Sequence, residues 1–298
     1  MGGRAIKFPS SYRSVDNIVI AGMGGSALGS DVILSVFGST LSIPMTIVNG
    51  YQLPGWVNRR TLVLLSSYSG GTEETLAAAV EARQRGAKIT GLTTGGKLSK
   101  WFGRHQLPYY RIVPDANPAG QPRMGLGYNA MGQIGLLSSI GLLKITRAEV
   151  EMAIATAARR LQACDPSVPT KRNPAKQLAN VLTGRLPILI GAGPLLGSLH
   201  AFANQLNETA KVFSVAFPLP ELNHHLLEGL RFPTSLRSAT FVAFHSDLYW
   251  PRIMARERIT LQIVAQAKLK TTTVKIQGDS RLAQALDVLA LAGPTSLY

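Results

Sequence analysis

A chain of 298 residues is long enough for two domains of about 150 residues each, and with 46% hydrophobic and 16% charged residues it can bury a sizeable core. No apolar run reaches the ~18 residues a membrane helix needs, Met1–Ser14 lacks the apolar centre of a secretion signal, and the single cysteine, Cys164, excludes an intrachain disulfide and offers no zinc pattern. A cytoplasmic protein is therefore expected. The net charge of +15 suits anionic ligands, but the basic residues are scattered in small groups such as Arg83, Arg85 and Lys88, so neither nucleic acid nor a membrane is expected as the main partner.

Short apolar runs rich in β-branched residues alternate with helical segments, the pattern of a parallel sheet with crossover helices. In the first half, strands are expected at Asn17–Ile20, Met45–Val48, Leu62–Ser66, Lys88–Thr93 and Pro108–Val113. Helices are expected at Ala27–Phe37 and Thr72–Gln84, a short turn near Leu98–Phe102, and a long glycine-rich helix at Met124–Leu143, buried between layers or between subunits. The pattern then restarts. Ala148–Gln162 reads as a helix, Asp165–Thr170 as a connector, Ala175–Leu182 as a helix, Pro187–Gly191 as a strand and Leu195–Lys211 as one helix. Strands at Phe213–Ala216, Ser238–Phe244 and Thr272–Lys275 follow, with helices at Ile253–Ala267 and Leu282–Leu291. The repeated sketch implies two similar α/β domains, residues 1–145 and 146–298.

Four segments carry chemistry. In Ile18–Leu28 an apolar strand runs through Gly22, Gly24 and Gly25 into a helix start, so the backbone can approach a ligand and the helix end offers free N–H groups to an anion. Ser26 is placed to cap that helix or to touch the ligand. A dinucleotide fingerprint is the rival reading, but the G-x-G-x-x-G spacing is absent and Asn49-Gly50, not an acidic residue, follows Val48. An ordinary glycine turn is the plain alternative. In Leu64–Thr75 a strand ends in Ser66 and Ser67, Gly70 and Gly71 free the backbone, and Thr72 opens a helix. There Ser67, Ser69 and Thr72 can converge on one phosphate with backbone N–H groups; a capping role for Thr72 can coexist with this. The remaining two segments, Leu206–Lys211 and Pro220–His225, hold Glu208 and His224 16 positions apart, a carboxylate and an imidazole suited to moving protons. His105, His200 and His245 lack such a setting and read as structural. Adjacent His224 and His225 point to different sides and no third ligand has telling spacing, so no metal and no cofactor are expected.

The run Ser67-Tyr-Ser-Gly-Gly-Thr-Glu-Glu-Thr75 resembles the phosphate loop of sugar isomerase (SIS) domains. Gly22-Met-Gly-Gly-Ser-Ala27, Pro122-Arg123 with Gly127-Tyr128, Asn173-Pro-Ala-Lys-Gln-Leu-Ala179, Leu206-Asn-Glu-Thr-Ala-Lys211 and Leu219-Pro-Glu-Leu-Asn-His224 narrow the resemblance to the bifunctional phosphoglucose/phosphomannose isomerases, over nearly the whole chain and in order. The resemblance implies two SIS domains in tandem, each a parallel five-stranded sheet flanked by helices as a flavodoxin-like three-layer sandwich. It implies a homodimer with a site shared between subunits, a hexose 6-phosphate substrate, and no metal. It makes Glu208 the base that moves a proton between C1 and C2, His224 the ring-opening group, and Arg123 the cation that stabilises the enediolate. Ser67, Ser69 and Thr72 hold the phosphate, and Gly24, Gly25 and Ser26 line the sugar. Thr295, in Thr295-Ser-Leu-Tyr298, makes room for the mannose epimer. The mostly uncharged setting of Ala203–Lys211 leads one to expect a Glu208 carboxyl raised by burial.

Some positions depart from the family pattern. His225 stands where Asn is usual, Phe202-Ala203-Asn204 replaces a basic and aromatic stretch, Gly293-Pro294 replaces an acidic residue, and family members continue beyond the position of Tyr298. The alternative reading is a non-catalytic or weakly active phosphosugar-binding protein. Retention of Glu208, His224 and Arg123 together favours the enzyme, because a pure binder needs none of the three.

Overall fold

The computed structural model describes residues 6–230 and 234–298; the first five residues of Met1–Ser14 lie outside the described residues. The chain divides into two compact units, Met1–Ile145 and Thr146–Tyr298.

The first unit runs β1 (Asn17–Gly22), α1 (Gly25–Phe37), β2 (Met45–Val48), β3 (Thr61–Ser66), α2 (Glu73–Gln84), β4 (Lys88–Thr93), α3 (Gly96–Arg104), β5 (Tyr110–Arg111) and α4 (Leu126–Ile140). Its strands are all parallel, in the order β2-β1-β3-β4-β5. Of the three inner strands, β1 and β3 are continuous apolar runs without alternation because both faces of the sheet are covered. On one face Val19, Ala21, Val63, Leu65 and Ile89 pack with Ala78, Ala79 and Ala82 of α2 and with Leu98 and Phe102 of α3. Helices α1 and α4 cover the other face. Two expectations shrink. The strand at Pro108–Val113 pairs with β4 only through Tyr110 and Arg111. The helix at Met124–Leu143 is instead a 3-10 turn, Pro122–Gly125, leading into α4, which Gly141 ends in a left-handed conformation.

The second unit runs α5 (Arg147–Ala163), α6 (Pro174–Leu182), β6 (Leu186–Gly191), α7 (Leu196–Gln205), β7 (Val215–Pro218), β8 (Ala239–His245), α8 (Pro251–Gln266), β9 (Lys270–Lys275) and α9 (Arg281–Leu297). Thr146 and Glu149 form a reciprocal capping box that starts α5. The sheet is again parallel, in the order β7-β6-β8-β9. Among the described residues it has four strands, which corrects the expectation of five in each unit. After β9 the chain passes through Gly278 to Ser280, whose side chain accepts from Ala283 N and caps α9; it enters that long helix instead of adding a fifth strand beside β9. Helix α9 is mostly buried. Arg160 of α5 donates two hydrogen bonds to Asp287 of α9, at 2.8 and 2.6 Å. The Asp287 side chain is fully buried and also accepts from Gln277 N.

Candidate active site

In the first unit three loops meet at the carboxyl ends of β1 and β3, the place where open parallel sheets bind ligands. The loop after β3 turns back on itself. Ser67, fully buried, shares a 2.8 Å hydrogen bond with the Thr72 hydroxyl, and its Oγ accepts from Gly70 N at 3.1 Å. Ser69 is exposed, and its Oγ accepts from Gly71 N. Thr72 is the cap residue of α2 by backbone conformation, but its side chain makes no capping bond. This corrects the capping expectation: the hydroxyl is held by Ser67, so the first N–H groups of α2 have no side-chain acceptor from Thr72 and are available to an anion. The structure therefore pairs Ser67 with Thr72 and sets Ser69 beside them on the exposed rim.

The turn after β1 is stitched to this loop by Ser26. Its Oγ accepts from Tyr68 N at 2.8 Å, and its carbonyl accepts from Ser66 Oγ at 2.9 Å. Ser26 is only 5% exposed, and Gly24 is the cap residue of α1. The expectation that Ser26 caps α1 is thus corrected, and its hydroxyl serves to hold two loops together. The third loop carries Arg123. A Cβ on Gly25 would lie 3.1 Å from the Pro122 backbone, and one on Gly125 would lie 2.4 Å from the Tyr68 ring. These two glycines let the Pro122–Gly125 turn close over both the other loops. Arg123 is half-buried and donates from Nη1 to Gln121 Oε1.

Sequence reasoning passed over the supports of this cluster. Tyr68 accepts at its hydroxyl from Asn117 Nδ2 at 2.7 Å. Gln133, fully buried on α4, accepts from Ser30 Oγ at 2.9 Å and donates to Ser66 Oγ at 3.3 Å. The available signal was Asn129 and Gln133, two amides four apart on one face of an otherwise apolar helix. The counterpart turn of the second unit, Gly191-Ala192-Gly193, is closed instead. Tyr249 Oη accepts from Ala192 N and donates to Phe244 O, both at 2.9 Å, and burial pushes its phenol well above the ordinary range.

In the second unit Glu208 sits on a widened helical turn. The expected single helix Leu195–Lys211 is α7 followed by a π-helical turn, Leu206–Ala210, that ends at Lys211 in the left-handed region with φ 58°. Asn207 holds this turn by donating to Ala203 O at 2.8 Å and to Ser214 O at 3.0 Å, and Ser214 Oγ donates to the same Ala203 carbonyl. Glu208 is exposed, which corrects the expectation that it is buried; Lys211 Nζ donates to its backbone carbonyl at 2.6 Å. His224 ends a 3-10 turn, Glu221–His224, and is exposed. The neighbouring His225 lies edge-on to Phe217 with centroids 6.4 Å apart. Thr295 lies inside α9, 3% exposed, with its hydroxyl donating to Leu291 O at 2.8 Å. Glu208, His224 and Thr295 thus come from three separate elements. Of the histidines read as structural, His245 contacts Glu257 at 3.0 Å and Asp247 at 3.4 Å. Burial pushes the Glu257 carboxyl up, and His245 partly opposes this.

Comparison with known proteins places this arrangement. Residues 11–100 match the SIS domain family, and residues 171–298 match the bacterial phospho-glucose isomerase C-terminal SIS domain. The chain is similar to the bifunctional phosphoglucose/phosphomannose isomerase of Caldicellulosiruptor bescii, 31% identical over 99% of this chain and 87% of that protein. It is similar to the enzyme of the same name from Thermoplasma acidophilum, 30% identical over 94% of this chain and 82% of that protein. In fold it is similar to the C-terminal domain of the glucosamine-fructose-6-phosphate aminotransferase of Francisella tularensis, with TM-score 0.71, 13% identity, and coverage of 96% and 85% of the two chains. The chain belongs to the family of bifunctional phosphoglucose/phosphomannose isomerases.

Proposed function

We propose that the protein is an aldose–ketose isomerase that interconverts fructose 6-phosphate with glucose 6-phosphate and mannose 6-phosphate. The observation that carries this reading is the Ser67–Thr72 loop at the amino end of α2, with hydroxyls and helix N–H groups gathered at the carboxyl end of β3, in a chain whose relatives bear that name. Ser67, Ser69 and Thr72 hold the phosphate dianion, which the helix end favours electrostatically. Gly24 and Gly25 bring backbone close to the sugar, and Ser26 holds that turn against the phosphate loop.

The chemistry moves one proton between neighbouring carbons and one between their oxygens, and the electrons stay within the substrate, so no external oxidant is needed. His224 opens the ring by passing a proton between the ring oxygen and the carbonyl oxygen formed on opening. The Glu208 carboxylate takes the C1 proton of the open ketose, the C1–H electron pair forms the C1–C2 double bond, and the carbonyl oxygen becomes the enediolate oxygen. Arg123 stabilises that negative charge with a fixed cation. The O1 hydroxyl proton passes to O2, which moves the negative charge to O1. The O1 lone pair then forms the aldehyde carbonyl as the double-bond electron pair takes the proton back at C2, and the face of C2 that receives it selects glucose or mannose 6-phosphate. Thr295, whose hydroxyl is bonded to its own helix, acts here through shape, at the C2–C3 bond. The active species is a homodimer with a site shared between subunits, located in the cytoplasm.

The test is an assay with fructose 6-phosphate that detects the two aldose products separately. Wild type is expected to form both products, and Glu208→Gln to lose at least about 10²-fold, the size of a removed general base. Wild type that binds glucose 6-phosphate, seen as a raised melting temperature, yet makes neither product would overturn the enzyme reading in favour of a phosphosugar-binding protein.

A further inference from the structure

We infer that Asn223 and Thr260 are positioning residues for His224, and that the hydrogen bond between them sets the direction in which the imidazole projects for ring opening. The inference rests on the role proposed above for His224. In a 3-10 turn there are three residues per turn, so consecutive side chains point about 120° apart. In the turn Glu221–His224 two of these directions are taken. Leu222, 1% exposed, enters the core of the second unit. Asn223 turns to α8, where its Nδ2 donates to Thr260 Oγ1 at 2.7 Å and its Oδ1 accepts from Arg256 Nη1 at 3.4 Å. The third direction is shared by Glu221 and, one turn later, His224, both exposed.

Thr260 is itself 1% exposed and lies on the long helix α8, so the anchor is rigid while the turn is only four residues long. Leu222 alone would let the turn rock about one apolar contact, because burial is not directional. The Asn223–Thr260 bond supplies the second, directional restraint that fixes a rotation. A valine at position 260 keeps the volume and removes the hydroxyl, leaving Asn223 only its longer 3.4 Å bond from Arg256.

The experiment measures initial rates on two ketose substrates. Fructose 6-phosphate must be opened. In 5-deoxyfructose 6-phosphate the hydroxyl needed to close the furanose ring is missing, so it is always open. His224→Ala, Thr260→Val and Asn223→Ala are each expected to lose about 10-fold or more on fructose 6-phosphate and to keep near wild-type rates on the open substrate. Thr260→Ser should recover most of the loss, and the His224→Ala/Thr260→Val double variant should be no slower than His224→Ala. Asn223→Ala, at a partly exposed position, carries the same test should Thr260→Val not fold. Equal losses on both substrates would assign Thr260 to stability alone and overturn the inference. So would wild-type rates in Thr260→Val and Asn223→Ala while His224→Ala is impaired on the closed substrate; the role of His224 would then stand. Unchanged turnover in His224→Ala beside an inactive Glu208→Gln would sink the role of His224 and the inference with it. No turnover by wild type would instead overturn the isomerase reading.

Discussion

Thr72 shows how one hydroxyl is turned from local structure to binding. A threonine with the backbone conformation of a helix cap ordinarily bonds the N–H of the second or third helical residue. Here Ser67 takes that hydroxyl at 2.8 Å, and no side-chain cap forms on α2. The helix end is left incomplete where a phosphate is proposed to complete it. Thr72→Val should therefore weaken substrate binding more than the chemical step. A hydrogen bond to a charged group contributes about 1.5–3 kcal/mol, so KM is expected to rise roughly 10- to 100-fold with kcat little changed, read from steady-state kinetics. A fall in kcat at constant KM would place Thr72 in transition-state stabilisation instead. The motif Ser67–Thr75 was legible as a candidate phosphate loop because glycines, hydroxyls and a helix start are adjacent in sequence. That the Ser26 hydroxyl would accept from Tyr68 N was not, since the two are 42 positions apart.

At the scale of elements, the widened turn after α7 decides what Glu208 can do. An uninterrupted α-helix through Lys211 is what the local pattern predicts. The amide of Asn207 instead bonds Ala203 O and Ser214 O, and Ser214 Oγ bonds Ala203 O as well. These bonds tie the widened turn to Ala203 before it and to Ser214 after it, and Glu208 is exposed. The buried pair between α5 and α9 is the second element-scale device. Arg160 and Asp287 are 127 positions apart and make two charge-assisted bonds. Removing one partner strands the other charge away from water, so Asp287→Ala is expected to cost about 3–5 kcal/mol of stability, measured by denaturant unfolding. A cost within about 0.5 kcal/mol, the range of an ordinary surface change, would show that water reaches Arg160.

At the scale of the whole molecule, the homodimer proposed above predicts a mass in sedimentation equilibrium of twice the 31.9 kDa of one chain; a single-chain mass at micromolar concentration would refute it. The sequence by itself determined the kind of elements and their alternation, because unbroken apolar strands and glycine-ended turns follow from short-range chemistry. It also singled out the Ser67–Thr75 loop, Glu208, His224 and Arg123 as candidates for the site, since each sits in a contiguous motif. Only the tertiary structure decided that the second sheet stops at four strands among the described residues, that Tyr249 closes the glycine turn of the second unit while Tyr68 braces that of the first, and that Asn223 reaches Thr260. The physical reason is that these outcomes depend on hydrogen bonds and packing between residues tens of positions apart. Such pairings are chosen by which buried polar groups can be satisfied once the layers have closed, and no local periodicity records them.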